Sequence, residues 1–161
     1  MLSYKIRPAE KNDMQEVLLL IKELAAFEKE PEAVEVSVED LQRDGFGKDP
    51  LFMCFVAEVE AKIQGMALIY FRYSTWKGKT VHLEDLIVRK EFRGKGLGAG
   101  LYKEVMKFAK KQGVKRVEWV VLEWNDDAIQ FYKNTGAVIL ENWHLAQFDE
   151  KALDHFLIRK Q

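Results

Sequence analysis

The stretch TVHLEDLIVRKEFRGKGLGAGLYKEVMKFAKKQG, residues 80 to 113, carries the clearest structural pattern in the chain. Its first part is rich in β-branched and apolar side chains and predicts a strand over residues 80–88. Apolar side chains then recur at helical spacing (Leu101, Val105, Met106 and Phe108) and predict a helix over residues 98–112, which Gly113 ends as a left-handed cap. A strand, a glycine-rich turn and a helix in this order indicate an α/β protein.

The segments on either side extend the α/β pattern. Further strands are predicted over residues 3–7, 52–59, 63–73, 117–122 and 143–148, with a hairpin turn at residues 60–62. Helices are predicted after a cap at Asn12 or Asp13 and after a capping box of Ser37 and Asp40. Another is predicted over residues 126–135, between a cap at Asn125 and Gly136, and the sequence allows a last helix after Asp149. We therefore predict one domain over residues 1–161, with a mixed central sheet of about six to seven strands flanked by helices.

Composition and charge argue against several classes of partner. The chain of 161 residues has 25 Lys and Arg against 26 Asp and Glu, a net charge of −1, so no general attraction to nucleic acid or anionic membrane is expected. The longest strongly apolar run, residues 17–21, is too short to span a bilayer, and no secretion signal is visible. Cys54 is the single cysteine, and no Cys/His cluster has zinc-ligand spacing. We expect a cytoplasmic protein without a metal.

Glycines cluster where the predicted strand meets the predicted helix. Gly94, Gly96, Gly98 and Gly100 are four of the ten glycines in the chain. Backbone without Cβ atoms can turn several N–H groups toward one point, and the helix N-terminus adds partial positive charge, which suits a pyrophosphate. Alternatively, the glycines only permit close packing of the helix on the strand. Ala99 replaces the third glycine of the dinucleotide fingerprint and no Gly-Lys-Ser/Thr triplet occurs, so hydride and phosphoryl transfer are disfavoured.

The sequence RGKGLG, residues 93–98, resembles the Arg/Gln-x-x-Gly-x-Gly/Ala signature of the GNAT superfamily of acetyltransferases, whose loop holds the pyrophosphate of coenzyme A. The motifs LAAFE (24–28), DGFG (44–47), LED (83–85) and EWN (123–125) are most similar to the diamine and thialysine N-acetyltransferases. The resemblance implies transfer of acetyl from acetyl-coenzyme A (acetyl-CoA) to an amine. The cofactor-binding residues that it implies are Leu86, Ile87, Val88, Arg93, Gly94, Lys95, Gly96, Leu97, Gly98, Ala99, Asn125, Asp126, Asp127 and Ala128.

Acetylation of an amine requires a group that removes a proton, because a lysine-like amine has a pKa near ~10.4. Glu84 and Asp85 point to opposite faces of an ideal strand, so a shared role requires a bulge or a sheet edge. A carboxylate in an apolar strand is costly unless it is hydrogen-bonded or paired with a cation, which is either a substrate ammonium or the partner in a structural salt bridge. The resemblance implies that Glu84 is the base, acting through water, and that Asp85 contributes to an acidic pocket.

The departing coenzyme A thiolate needs a proton, which a tyrosine with a pKa near ~10 can supply. A helical tyrosine taken alone is ordinarily a packing residue. Residues 125–132, NDDAIQFY, follow the family motif Asn-x-x-(Ala/Ser)-(Ile/Met)-x-(Phe/Leu)-Tyr without a gap. The resemblance therefore implies that Tyr132 is the general acid.

The resemblance also implies a site for a small-molecule amine, in which carboxylates beside aromatic faces suit a cation. Its residues are Phe27, Glu28, Trp76, Glu84, Asp85, Glu123, Glu141 and Trp143. Residues 74–78, STWKG, differ from the diamine branch, which has Asp-Pro at the first two positions, and look like the thialysine branch. With one carboxylate fewer and Lys77 added, an amino acid with one amine and one carboxylate suits the pocket better than a polycation.

Two other functions stay open at this stage. One is acetylation of a protein lysine or N-terminus, which needs an open groove. The other is a non-catalytic module that senses acyl-coenzyme A. Members of the family usually form dimers, and we expect a homodimer with residues 143–148 at the interface.

Overall fold

The computed structural model describes residues 2–158. The chain divides into two compact units, Met1–Val120 and Val121–Gln161. That a single domain spans residues 1–161 stays a prediction. None of the helices within residues 2–158 has the length and apolar character that crossing a bilayer requires.

The first unit is built on a five-stranded sheet. Its strands are β1 (Lys5–Pro8), β2 (Met53–Val59), β3 (Lys62–Ser74), β4 (Gly78–Val88) and β5 (Val117–Glu118), in that spatial order. Neighbours from β1 to β4 are antiparallel, and β5 runs parallel to β4, so the sheet is mixed as predicted. Left-handed backbone at Glu60 and Ala61 (φ 48° and 60°) forms the predicted hairpin turn between β2 and β3.

Three helices of the first unit cover the two faces of this sheet. They are α1 (Met14–Phe27), α2 (Val38–Phe46) and α3 (Leu97–Lys111). Buried residues of α1 and α2 share one core cluster with Met66 and Leu68 of β3. Phe71 lies three positions after Leu68 on β3, so its side chain points to the other face of the sheet. It contacts Phe108 of α3, with ring centroids 5.9 Å apart. Because strand side chains alternate, α1 and α2 cover one face and α3 covers the other.

The predicted helix ends are mostly confirmed. Ser37 Oγ accepts a hydrogen bond from Asp40 N at 3.1 Å, and an Asp40 oxygen accepts from Ser37 N at 3.0 Å, which is the predicted capping box of α2. Gly113 follows α3 with a left-handed φ of 67°. Asp13 precedes α1 but makes no side-chain cap; its carboxylate binds the Arg7 guanidinium at 2.6 Å instead.

The second unit contains α4 (Asp126–Asn134) and α5 (Glu150–Ile158). The Asn125 side chain accepts a hydrogen bond from Ala128 N at 3.3 Å and caps α4, and Gly136 follows this helix with a φ of 91°. Both features were predicted from the sequence. The helix α5 is the one that the sequence allowed after Asp149.

The strand count is a correction. Within residues 2–158 the sheet has five strands rather than the predicted six to seven, because no strand forms over residues 143–148. The strand predicted over residues 117–122 is present but ends at Glu118. Val138, Trp143 and Leu145 are 80%, 68% and 74% exposed. Alternating apolar residues become a strand only where a neighbouring strand takes up their N–H and C=O groups, and none pairs with this segment among the described residues.

Candidate active site

A β-bulge in β4 turns the two candidate carboxylates to the same face of the sheet. Leu68 pairs with Asp85 and Ile69 pairs with Leu83, so Glu84 is an extra residue without a partner on β3. Asp85 shares the α1 face with Leu68, whereas Leu83 and Ile69 lie on the α3 face. Glu84 follows Leu83 and alternation returns it to the α1 face. The bulge therefore supplies the shared orientation that an ideal strand forbids.

The bulge lies in an acidic environment. Burial, followed by the charges of Glu84 and Glu28, raises the pKa of Asp85 to about 7. Burial also raises the pKa of Glu28, which follows α1 directly. The Glu84 side chain is 50% exposed and so remains open to water. Carboxylates whose charges raise the pKa of one another form a site suited to an ammonium group.

Two aromatic residues that the sequence analysis missed accompany Glu84. His82 Nε2 lies 3.4 Å from Glu84 Oε2. Burial, and then a hydrogen bond to the Glu84 carboxylate, raise the pKa of Tyr70. The centroids of the Tyr70 and His82 rings are 5.0 Å apart. His82 stands two positions before Glu84, a spacing that could have marked it, but Tyr70 is identified only by the pairing of β3 with β4.

The glycine-rich turn has the backbone conformation and the close packing that its sequence indicated. Gly96 has a left-handed φ of 91° and is the N-cap of α3, so the first N–H groups of the helix, which begins at Leu97, have no acceptor within it. At Gly100 an added Cβ would lie 2.7 Å from Ile6 Cδ1 and 2.9 Å from the Tyr4 hydroxyl oxygen. Gly96 thus provides the left-handed backbone before the helix, and Gly100 provides close packing against residues 4 and 6. A helix N-terminus of this kind is the arrangement that the predicted pyrophosphate site requires.

The candidate cofactor residues of the first unit surround this turn. Arg93 Nε donates to the Val88 carbonyl at 2.9 Å, and its guanidinium carbon lies 5.4 Å from the centre of the Phe27 ring. The Lys95 ammonium lies 5.0 Å from the centre of the Phe92 ring. Ile87, Val88 and Leu97 are buried, Leu86 and Gly98 are half-buried, and Gly94 and Ala99 are exposed. Trp76, a candidate substrate residue, lies in the turn between β3 and β4 and is 79% exposed.

The second unit holds the remaining candidates. Tyr132 on α4 is buried at 8% exposure, and its ring centroid lies 5.5 Å from that of Phe131. Asn125 caps the helix whose first turn contains Asp126, Asp127 and Ala128. Glu123 precedes this cap, and the exposed Glu141 and Trp143 lie in the segment where the predicted strand is absent.

Comparisons with known proteins identify the class. Residues 17–137 match the model of the acetyltransferase (GNAT) family, and the chain belongs to this family. A structure of an integron cassette protein from the mobile metagenome of V. cholerae has the same fold, with a TM-score of 0.79 at 23% identity over 98% of this chain and 99% of that chain.

The relatives narrow the class to enzymes that acetylate amines. The chain is 40% identical over 159 residues to the thialysine N-epsilon-acetyltransferase of Bos taurus, covering 92% of this chain and 94% of that protein. It is 39% identical over 160 residues to the spermidine/spermine N(1)-acetyltransferase-like protein 1 of Homo sapiens, covering 93% of this chain and 23% of that protein. The protein is an amine N-acetyltransferase, and its acetyl donor is acetyl-CoA. The family predicted from the sequence is confirmed.

Proposed function

We propose that the protein acetylates the side-chain amine of thialysine or a lysine-like amino acid, with a small polyamine as the second candidate. The observation that carries this proposal is the acidic face at the β4 bulge, where the charges of Glu84 and Glu28 add to burial in raising the pKa of Asp85. An ammonium group bound there relieves the repulsion among the carboxylates and lowers the pKa of Asp85. The relatives named for thialysine and for spermidine/spermine support the same class of substrate.

The proposed base is Glu84. Its half-exposed carboxylate takes the ammonium proton through a water molecule, while Asp85 and Glu28 hold the cation in place. The neutral nitrogen then attacks the acetyl carbonyl carbon and releases its second proton to solvent as the amide forms. The carbon–sulfur bond breaks, and its electron pair leaves on sulfur as the thiolate. Tyr132 gives its hydroxyl proton to the departing thiolate, and its burial suits this role because little water competes as donor.

The proposed cofactor contacts follow from the backbone. N–H groups of the turn and the first residues of α3 hold the pyrophosphate, with Arg93 and Lys95 nearby. The backbone of Leu86, Ile87 and Val88 holds the pantetheine arm. The start of α4, Asn125, Asp126, Asp127 and Ala128, completes the proposed set.

Whether the protein prefers an amino acid or a polyamine as its substrate is proposed to depend on the turn between β3 and β4. Lys77 in this turn pairs well with a substrate carboxylate and repels a second amine. Trp76, Phe27, Glu123, Glu141 and Trp143 are proposed contacts for the rest of the substrate.

A substrate panel tests the reaction. Thiol release from acetyl-CoA is followed with thialysine, lysine, spermidine, putrescine and a lysine peptide, for the wild type and Tyr132→Phe. We expect the highest kcat/KM with thialysine and a loss of about 10² or more in the variant. Preference for the peptide would favour a protein acetyltransferase. Tight cofactor binding without turnover on any amine would favour a sensor.

We also propose that the protein is a cytoplasmic homodimer. The segment after α4 exposes Val138, Trp143, Leu145 and Phe148 at 63% or more, and a second copy is the proposed cover for these side chains. Light scattering at micromolar concentration should give twice the chain mass of 18.8 kDa, and a mass of one chain would contradict the proposal.

A further inference from the structure

A row of charged side chains leads across the sheet to Glu84. Arg116 Nε lies 2.9 Å from one oxygen of Glu118, and the other Glu118 oxygen lies 3.1 Å from Arg72 Nη1. Arg72 Nη1 also lies 3.2 Å from His82 Nδ1, and His82 Nε2 lies 3.4 Å from Glu84 Oε2. These five residues, the charge row, connect β5, β3 and β4. The row ends at the proposed base.

The contact with Arg72 determines which nitrogen of His82 carries the proton. A guanidinium has N–H donors and no acceptor, so His82 Nδ1 must accept the hydrogen bond. The neutral ring then carries its proton on Nε2, the nitrogen that faces Glu84. Arg72 is itself held by Glu118, which fixes the position of the guanidinium.

The surroundings of His82 favour its neutral form. The groups facing the ring are Tyr70 and Arg72 from β3, Glu118 from β5 and Glu84 from its own strand. Burial lowers the pKa of His82 and Arg72 lowers it further, whereas Glu84 and Glu118 raise it, and the result is a lowered pKa. The His82 side chain is only 9% exposed, so water screens these charges little.

We propose that Arg72 and His82 are positioning residues that keep the Glu84 carboxylate available to the substrate ammonium. Arg72 occupies Nδ1, so His82 stays neutral and presents Nε2–H toward Glu84. If the ring took a second proton, the imidazolium would pair with Glu84, compete with the substrate cation and weaken the carboxylate as a proton acceptor. The proposal rests on the proposed role of Glu84 as the base.

The kinetic test removes the charge at Arg72. In Arg72→Gln we expect the KM for the amine at pH 6 to rise about threefold relative to the wild type, because loss of the guanidinium charge raises the pKa of His82. Near pH 9 the KM should equal the wild-type value. Arg72→Lys keeps a cationic donor and should restore the wild-type profile. The double variant Arg72→Gln/His82→Asn has no ring to protonate and should lose the rise at pH 6.

These variants separate positioning from a general effect on folding. A rise in KM that is equal at pH 6 and pH 9, or one that persists in the double variant, would overturn the proposal. Thermal unfolding of each variant in the assay buffers verifies that the folded enzyme is being compared.

A spectroscopic test distinguishes this proposal from the proposed base. Nitrogen-15 NMR of the histidine rings, with His82 assigned by its absence in His82→Asn, should show the Nε2–H form in the wild type and a higher His82 pKa in Arg72→Gln. The Nδ1–H form, or an unchanged pKa, would overturn the proposal even if Glu84 is the base. Full activity of Glu84→Gln would instead overturn the proposed base, and with it the purpose assigned to the charge row.

Discussion

The bulge of β4 carries the proposed proton acceptor, Glu84, and the helix α4 carries the proposed proton donor, Tyr132. The two side chains differ in their exposure to water. Glu84 is half exposed on an irregular strand, beside a half-buried Asp85 with a pKa of about 7. Tyr132 is 8% exposed on a regular, capped helix. A carboxylate that must meet a hydrated ammonium has to remain open, whereas a phenol that protonates a thiolate works best with little competing water. The difference indicates that each environment suits the direction of its proton transfer.

The comparison is tested most strongly by removing the carboxylate. Glu84→Gln should lower kcat/KM by about 10² to 10³ near pH 7, because the amine then has to lose its proton unaided. The loss should shrink as the pH approaches the amine pKa of ~10.4, since more substrate is already neutral in solution. The loss in Tyr132→Phe should not shrink with pH, because the thiolate still lacks its donor. Thiol release between pH 6.5 and 9.5 measures both profiles.

A matched control is Glu104→Gln, which changes an exposed acid of α3 that is paired with Lys107 at 3.0 Å. Its activity should equal that of the wild type at every pH. Parallel profiles for Glu84→Gln and the wild type would show that Glu84 does not remove the proton.

The α4 region could be predicted from the sequence because its signals are local. Asn125 caps the helix, Gly136 ends it with positive φ, and Tyr132 lies between them in one continuous motif. Each signal involves residues within one or two helical turns, so no knowledge of tertiary contacts is needed.

The β4 region could be predicted only in part because its properties depend on pairing between distant residues. The sequence indicated Glu84 and Asp85, but their common face depends on the shift between Leu68 and Ile69 of β3. The contact of Arg72 with His82 likewise requires the register of β3 and β4. The absent strand at residues 143–148 has the same cause, since alternation in one segment does not specify a partner.

A smaller effect is expected on the free energy of unfolding when Asp85 in the bulge is replaced. The folded-state pKa of Asp85 is about 7 against an ordinary value of 3.8, so the folded protein disfavours the ionised form. Asp85 therefore costs the folded protein no stability below the unfolded pKa of 3.8, and the cost grows as the pH rises from there to 7. Asp85→Asn does not ionise, so at pH 8.5 its free energy of unfolding should exceed that of the wild type by about 2 to 4 kcal/mol.

Urea denaturation at pH 5, 7 and 8.5 measures this gain, which should fall by more than half between pH 8.5 and pH 5 as the pH approaches the unfolded pKa. Asp49→Asn, which changes an exposed loop acid, should show no such dependence. A gain for Asp85→Asn that is the same at all three pH values would mean that burial of the charge is not its source. A stabilised variant with a raised KM for the amine would show that the wild type keeps an unfavourable buried carboxylate because the substrate cation needs it. The more exposed Glu84 would then take a proton from a substrate that the half-buried Asp85 holds.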